Sequence, residues 1–365
     1  MELLSKLLKD MVANRASDLF LSTGSTPALR IHGKLHCYDG TPLTSGRTEK
    51  MARLIMTEEQ RKAFDENPEA NIAHDVPGIG RFRFNIFRQR NEIAMVVRAI
   101  ADKVPSFESL GIPAMLRDIV MARRGLVLVV GPSGAGKSTT LAAMIEHRNI
   151  NDICHIVTIE DPIEYLITHK KSIVNQREIG ADTNSYHNAL INALRQSPDV
   201  IMVGEIRQRA IMEDVLEFAD TGHLCLATLH ANNTTQALER ILHMFPKDQH
   251  EPLCNALATN LKAVVSQILV PTIYGDRTVA VEMLINTPRV SDLIRRGQFN
   301  DLADVMDKDT NANMCTMDQA LFQLYNDDRI SEETALAYAN SVSNMRLQIR
   351  LSTPTADTSI TNNEQ

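Results

Sequence analysis

A glycine-rich segment is the strongest chemical signal in this chain of 365 residues. It fits G-x-x-x-x-G-K-[ST] at every fixed position and lies between an apolar, strand-like run and a helical pattern. Glycines permit backbone conformations closed to other residues, so successive N–H groups can point at phosphate oxygens, and the following helix N-terminus adds positive potential. The pattern predicts a phosphate site for ATP made by Gly131, Ser133, Gly134, Ala135, Gly136, Lys137, Ser138 and Thr139.

Two of these side chains have distinct expected roles. Lys137 would supply a positive charge to the β- and γ-phosphates, and Ser138 would bind Mg²⁺ through its hydroxyl. Hydrolysis also needs a group that holds the metal and a group that orients or deprotonates water. Carboxylates placed near the loop are the obvious candidates for both.

Two acidic segments follow apolar, strand-like runs. One is Glu160-Asp161-Pro162-Ile163-Glu164, in which the proline would end the strand, and the other ends in Gly204-Glu205. Nucleotides bind at the carboxyl ends of parallel strands, so these carboxylates are expected beside the phosphate loop. A solvated loop carboxylate is the alternative for each, since acidic residues are mostly exposed.

Two histidines flank a further apolar run, with His223 before it and His230 after it. Both could face the phosphates as neutral γ-phosphate sensors, or both could be partly buried structural residues. A zinc pair is not expected, because no third ligand lies nearby. The five cysteines are far apart and form no C-x-x-C pair, which favours reduced thiols and cytosolic location.

Composition narrows the class of protein. Hydrophobic residues at 44% and charged residues at 23% are typical of a soluble globular chain. A net charge of −7 argues against a dedicated binder of nucleic acid or anionic lipid. The amphipathic start does not match a signal peptide, and the longest apolar runs are too short to span a bilayer.

The pattern of strands and helices along the chain predicts two domains that position these residues. Residues 1–101 have the mixed α/β pattern of a small first domain. Residues 102–107 form a polar, proline-bearing linker, and residues 108–345 are predicted to alternate between strands and helices. The second pattern predicts a largely parallel sheet covered by helices on both faces. Helices are expected to dominate after about residue 235, apart from a strand near 278–285, and 346–365 is expected to be a disordered tail.

Together these motifs resemble the secretion and type IV pilus traffic ATPases, over about residues 3–345. The match rests on the 16–21 segment, Gly33-Lys34-Leu35, the phosphate loop, both acidic segments and the histidine segment. It implies a PAS-like α+β N-terminal domain and a RecA-like ATPase domain with a helical C-terminal part. It also implies Glu164 as the catalytic carboxylate, Glu205 as the acid near Mg²⁺, and His223 and His230 as residues that line the site.

The resemblance further implies a homo-hexameric ring motor at the cytoplasmic face of the inner membrane, associated with the membrane only peripherally. Its expected partners are a paralogous PilT-type retraction ATPase and an inner-membrane pilus platform protein of PilC type, with no nucleic acid. The family also places arginines of the first domain against the phosphates. Arg81 and Arg83 share a strand face, and Arg98 is a third candidate; a solvated basic strand is the alternative. No arginine is evident in the loops of the second domain, so the phosphate site would benefit from one supplied by a neighbouring subunit.

Some positions depart from the family pattern. Ser197 and Gln208 stand where acids are usual, and the retraction motif reads Arg289-Val290-Ser291-Asp292-Leu293-Ile294, with only its Leu-Ile end retained. These departures favour the accessory PilU-type branch of the retraction ATPases. The four-cysteine zinc loop of pilus-assembly ATPases is missing. The alternatives are a pilus-extension or type II secretion ATPase, a RecA-like nucleic-acid motor and a non-hydrolysing, nucleotide-dependent scaffold.

Overall fold

The structure is a computed structural model that describes residues 2–31, 33–100, 103–308 and 314–352. It divides into two compact units. One comprises the described residues of Met1–Lys103 together with Glu164–Leu166, and the other those of Val104–Ile163 and Ile167–Gln365. The short segment that joins the first unit from a distant part of the sequence was not foreseen.

The first unit is built on a six-stranded antiparallel sheet with the order β3-β2-β1-β6-β5-β4. Along β5 the side chains alternate between faces, and Phe82, Phe84 and Ile86 are fully buried against the helices. The arginines between them therefore lie on the opposite face, as the period of two predicts. The strands are β1 (Asp18–Leu21), β2 (Ala28–Ile31), β3 (Lys34–Cys37), β4 (Glu69–Val76), β5 (Gly80–Gln89) and β6 (Glu92–Ala99), and the helices are α1 (Glu2–Ala13), α2 (Arg47–Ile55) and α3 (Glu58–Glu66).

The second unit is built on a seven-stranded sheet with the order β13-β12-β7-β11-β10-β8-β9. All neighbouring strands are parallel except β12 and β13. Leu126 and Leu128 of β7 face one buried cluster and Val127 and Val129 the other, so the sheet is covered on both faces. The strands are β7 (Gly125–Val130), β8 (His155–Glu160), β9 (Ile173–Glu178), β10 (Val200–Val203), β11 (Leu224–Leu229), β12 (Leu261–Pro271) and β13 (Arg277–Ile285).

The helices of this unit begin directly after the interdomain segment and continue to the end of the described chain. They are α4 (Phe107–Leu110), α5 (Met115–Val120), α6 (Lys137–Asn151), α7 (Tyr186–Ala193), α8 (Arg209–Asp220), α9 (Thr234–His243), α10 (His250–Asn260), α11 (Pro288–Arg295), α12 (Leu302–Lys308), α13 (Met317–Asn326), α14 (Glu332–Tyr338) and α15 (Val342–Ser352). Short 3₁₀ turns cover Leu194–Gln196, Lys247–Gln249 and Phe299–Asp301. Within the described ranges, no helix is long and apolar enough to cross a membrane.

Two expectations about the C-terminal third were wrong. Strand β12 lies where the sequence predicted helix. The prediction failed because α10 ends at Asn260 and β12 begins at Leu261, so no loop separates the two apolar segments. Residues 346–352, expected in the disordered tail, belong to α15, where Met345 and Ile349 are buried. Residues 353–365 of that tail lie outside the described part of the chain.

Candidate nucleotide site

The glycine-rich segment lies between β7 and α6, as its motif requires. The loop packs so closely on β12 that a Cβ on Gly131 would stand 2.3 Å from the backbone oxygen of Gln267. At the other end Gly136 caps α6 with a φ of 88°, in the left-handed region that favours glycine. Ser133, Gly134 and Ser138 are exposed. The loop thus presents its backbone and its serine hydroxyls to an incoming anion.

The ammonium group of Lys137 is folded over the loop. Its Nζ donates to the carbonyls of Gly131 and Pro132, both at 2.9 Å. Burial lowers the pKa of Lys137, and the negative charge of Glu205 partly opposes this. Arriving phosphate oxygens would replace the two carbonyls as acceptors and form stronger, charge-assisted hydrogen bonds.

Glu205 and His230 meet at the same edge of the sheet. They follow β10 and β11, which are parallel neighbours, and β11 in turn pairs with β7. The Nε2 of His230 lies 3.1 Å from one carboxylate oxygen of Glu205. Both residues therefore lie at the carboxyl ends of strands, where the phosphate loop begins. The sequence predicted this position for Glu205 and left two readings open for His230.

His223 is not part of this arrangement. It precedes β11, and its carbonyl accepts from the N–H of Gly125, the first residue of β7. The six residues of β11 separate it by about 20 Å from the edge where the phosphate loop begins. Its Nδ1 is 3.1 Å from the carbonyl of Phe218, and its ring packs edge-on against that phenylalanine. The expectation that His223 lines the phosphate site of its own chain was wrong, because a residue before a strand and one after it lie at opposite edges.

The two carboxylates of the other acidic segment differ in environment. Glu160 ends β8, is 7% exposed and accepts from Thr158 Oγ1 at 2.7 Å and Gln176 Nε2 at 3.0 Å. Glu164 is exposed and lies in the segment Glu164–Leu166, which groups with the first unit. A group that orients attacking water needs access to water, which Glu164 has and Glu160 lacks. The role of Glu164 stays a prediction.

The three arginines proposed from the first domain lie together on one face of its sheet. Arg83 and Arg98 are direct cross-strand partners of β5 and β6, and Arg81 is two residues along the same face. Both Nε and Nη2 of Arg98 donate to the buried carboxylate of Asp18, at 3.0 and 2.8 Å. Arg81 lies 3.7 Å from Asp75. Their contact with a nucleotide stays a prediction.

Sequence reasoning found no obvious arginine in the loops of the second domain and so missed two arginines of the second unit. Arg207 Nε and Nη2 lie 2.8 and 2.7 Å from Glu205 Oε2, which pairs this arginine with the expected metal-side acid. Arg240 lines a cavity of about 390 Å³ together with Gly131, Pro132 and His230. The spacing Glu205-Ile206-Arg207 was a usable signal for the first, whereas the second depends on how α9 is placed.

The amide of Gln267 was missed as well. It is 1% exposed on β12, and its Nε2 donates to the carbonyl of Ala135 at 2.6 Å. No motif surrounds this residue, and the strand that carries it was itself mispredicted. Gln267 therefore contacts the phosphate loop in two ways. Its side chain donates to Ala135, and its backbone oxygen packs against Gly131.

The close approach at Gly131 gives a testable prediction. Gly131→Ala should lower the free energy of unfolding by about 2 to 4 kcal/mol, since a Cβ there meets backbone and the φ of 148° is strained for alanine. Gly134→Ala is the matched control: its φ is 77°, but nothing lies within 4 Å of the added carbon, so about 1 kcal/mol is expected. Urea denaturation of both variants measures the difference, and equal losses would contradict the close packing on β12.

The sequence of this chain is similar to those of known secretion and pilus proteins. Residues 1–316 match the family model described as "Type II/IV secretion system protein". The chain is 49% identical over 347 residues to the type IV pilus ATPase PilU of Pseudomonas aeruginosa, which covers 95% of this chain and 91% of that protein. It is 38% identical over 332 residues to the pilus retraction ATPase PilT of the same organism, covering 91% and 96%.

A solved structure is similar in fold as well as sequence. The pilus retraction motor PilT with bound ADP superposes with a TM-score of 0.89 at 39% identity, over 94% of this chain and 98% of that one. This similarity confirms the predicted fold class of an N-terminal α+β domain followed by a RecA-like ATPase domain. The chain belongs to the type II/IV secretion system protein family, in the group that contains the pilus ATPases PilU and PilT.

Proposed function

We propose that this chain is a Mg²⁺-dependent ATPase that powers or assists retraction of type IV pili, and hence twitching motility. The observation that carries the proposal is the meeting of the phosphate loop, Glu205 and His230 at one edge of the second unit's sheet, in a chain 49% identical to PilU. The identity to PilU exceeds that to PilT, which supports the accessory, PilU-type role.

Magnesium fits the residues present. Mg²⁺ prefers oxygen ligands, keeps several waters and is held in nucleotide sites by one or two protein groups plus phosphates. Ser138 offers an exposed hydroxyl and Glu205 a carboxylate whose side chain is 16% exposed. When bound, the ion would neutralise charge that develops on the phosphates during hydrolysis.

The protein side chains divide the remaining work. Lys137 and the loop N–H groups bind the phosphates, and Ser138 and Glu205 hold the metal. His230 keeps one oxygen of Glu205 oriented. Glu164 orients or deprotonates the attacking water. Arg81, Arg83 and Arg98 approach the phosphates from the first unit, so that hydrolysis depends on the position of that unit.

The relationship to PilU and PilT supports a proposal for the assembly of this chain. We propose a homo-hexameric ring in the cytoplasm, at the inner face of the inner membrane, acting on a PilC-type platform protein and together with a PilT-type paralogue. Size-exclusion chromatography with light scattering tests the ring, with and without ATP. A mass of one subunit under both conditions would contradict it.

Steady-state ATP hydrolysis by the purified protein tests the activity. We expect turnover that requires Mg²⁺ and ignores single-stranded DNA. Stimulation by DNA would instead support a nucleic-acid motor, and the absence of turnover would support a non-hydrolysing scaffold. In cells that lack this chain, retraction measured with and without the main motor distinguishes an accessory motor from a self-sufficient one. Loss of pilus extension or of type II secretion would support those alternatives.

The arginine face of the first unit gives a second prediction. Arg98→Gln should lower kcat about tenfold while leaving nucleotide affinity nearly unchanged, since two other arginines share the face. The matched control is Arg90→Gln, which removes an exposed arginine at the end of the same hairpin. Equal, small effects of both variants on kcat would contradict a phosphate role for Arg98.

A further inference from the structure

Glu282 is a buried acid that joins two helices. It lies on β13 and is 5% exposed. One carboxylate oxygen accepts from the backbone N–H of Thr234 at 2.7 Å, and the other from the N–H of Met317 at 3.3 Å. Those are the first residues of α9 and α13, so two helix N-termini converge on one negative charge.

Neither helix needs this acid as its N-cap. In α9 the side chain of Asn233 already accepts from the N–H of Gln236, at 2.8 Å. In α13 Thr316 and Gln319 form a complete capping box. Burying a carboxylate is costly, and ordinary caps were available at both ends. The distinct effect of Glu282 is to link the N-terminus of α9 to the N-terminus of α13 through one side chain.

The N-terminus of α9, which Glu282 binds, is close in sequence to the nucleotide site. Residues 231–233 connect His230 to α9, and the hydroxyl of Ser266 donates to the carbonyl of Asn232 at 3.1 Å. Ser266 is the direct cross-strand partner of Glu282 and also pairs with Val130, the residue before the phosphate loop. Two adjacent buried side chains therefore hold the short segment that follows His230.

We propose that Glu282 is a positioning residue that fixes the His230 segment and couples it to the C-terminal helix α13. If the N-terminus of either helix becomes more mobile, the shared carboxylate can move, and the N-terminus of the other helix becomes more mobile as well. The contact between His230 and Glu205 then depends on how firmly α13 is seated. This inference rests on the proposed function, because it assigns to Glu282 the alignment of a site that hydrolyses ATP.

Hydrogen exchange of the full-length protein tests the coupling without reference to activity. Thr316→Ala removes the cap of α13 and should speed exchange in peptides covering 315–321 and also in those covering 231–237. In a Glu282→Gln background, the same change should affect only 315–321. If Thr316→Ala leaves 231–237 unchanged in the wild-type background, the coupling is overturned. This result stands whether or not the protein hydrolyses ATP.

Kinetics test the effect on the site. Glu282→Gln keeps the side-chain shape but gives up one acceptor oxygen, so we expect kcat to fall about tenfold with KM for ATP nearly unchanged. Ser266→Ala should also lower kcat, and through the shared carboxylate it should speed exchange in 231–237 and, to a smaller extent, in 315–321. A Glu282→Gln variant that melts earlier but turns over at the wild-type kcat would show a merely structural role and overturn the proposal.

Discussion

Lys137→Ala is expected to abolish tight binding of ATP and ADP, and with it all hydrolysis. The ammonium group makes two hydrogen bonds to loop carbonyls that would become bonds to phosphate oxygens. Charge-assisted hydrogen bonds contribute about 1.5 to 3 kcal/mol each, so losing two weakens binding by roughly 100-fold or more. Fluorescence titration with a labelled ADP measures the affinity directly.

The Lys137 variant needs a control for charge and for loop structure. Lys171→Ala removes an exposed lysine of the same unit and should leave affinity unchanged. Thermal melting of the Lys137 variant without nucleotide should stay close to that of the wild type, because among the described residues Lys137 bonds only to loop carbonyls, and water can replace it at the exposed carbonyl of Pro132. Wild-type affinity in the Lys137 variant would contradict the assignment of the loop as the phosphate site.

The predictable part of the site consists of residues adjacent to strand ends in the sequence. A phosphate loop carries its own local geometry, and an acid directly after a buried strand must lie at the carboxyl edge of a parallel sheet. For that reason the sequence predicted Glu205 beside the phosphate loop, and the structure places both Glu205 and His230 at that edge of the sheet. The same rule should have excluded His223, since it precedes the strand that His230 follows.

The rest of the site depends on long-range packing, which local patterns do not report. Gln267 reaches the loop because β12 pairs with β7, and the sequence gives no turn before β12. Glu282 depends on the register of β13 against β12, and Arg240 on the placement of α9. Single buried polar residues of this kind have no motif and become visible only when their hydrogen-bond partners are known.

Glu164→Gln is expected to slow hydrolysis by about 100- to 10,000-fold while ATP affinity stays within a few-fold of the wild type. The amide keeps the shape of the side chain but cannot accept a proton, and Glu164 is exposed, so the fold should not change. Paired measurements of kcat and of labelled-ADP affinity separate this variant from Lys137→Ala.

Asp161→Asn is the matched control for Glu164→Gln, because it removes one charge from an exposed acid three residues earlier. It should retain most of the wild-type kcat, whereas a general effect of local charge would slow both variants alike. If Glu164→Gln instead lost nucleotide affinity as completely as Lys137→Ala, Glu164 would be a binding group and the water-orienting role would pass to another acid. Glu160 would then be the next to test, although its bonds to Thr158 and Gln176 would first have to open.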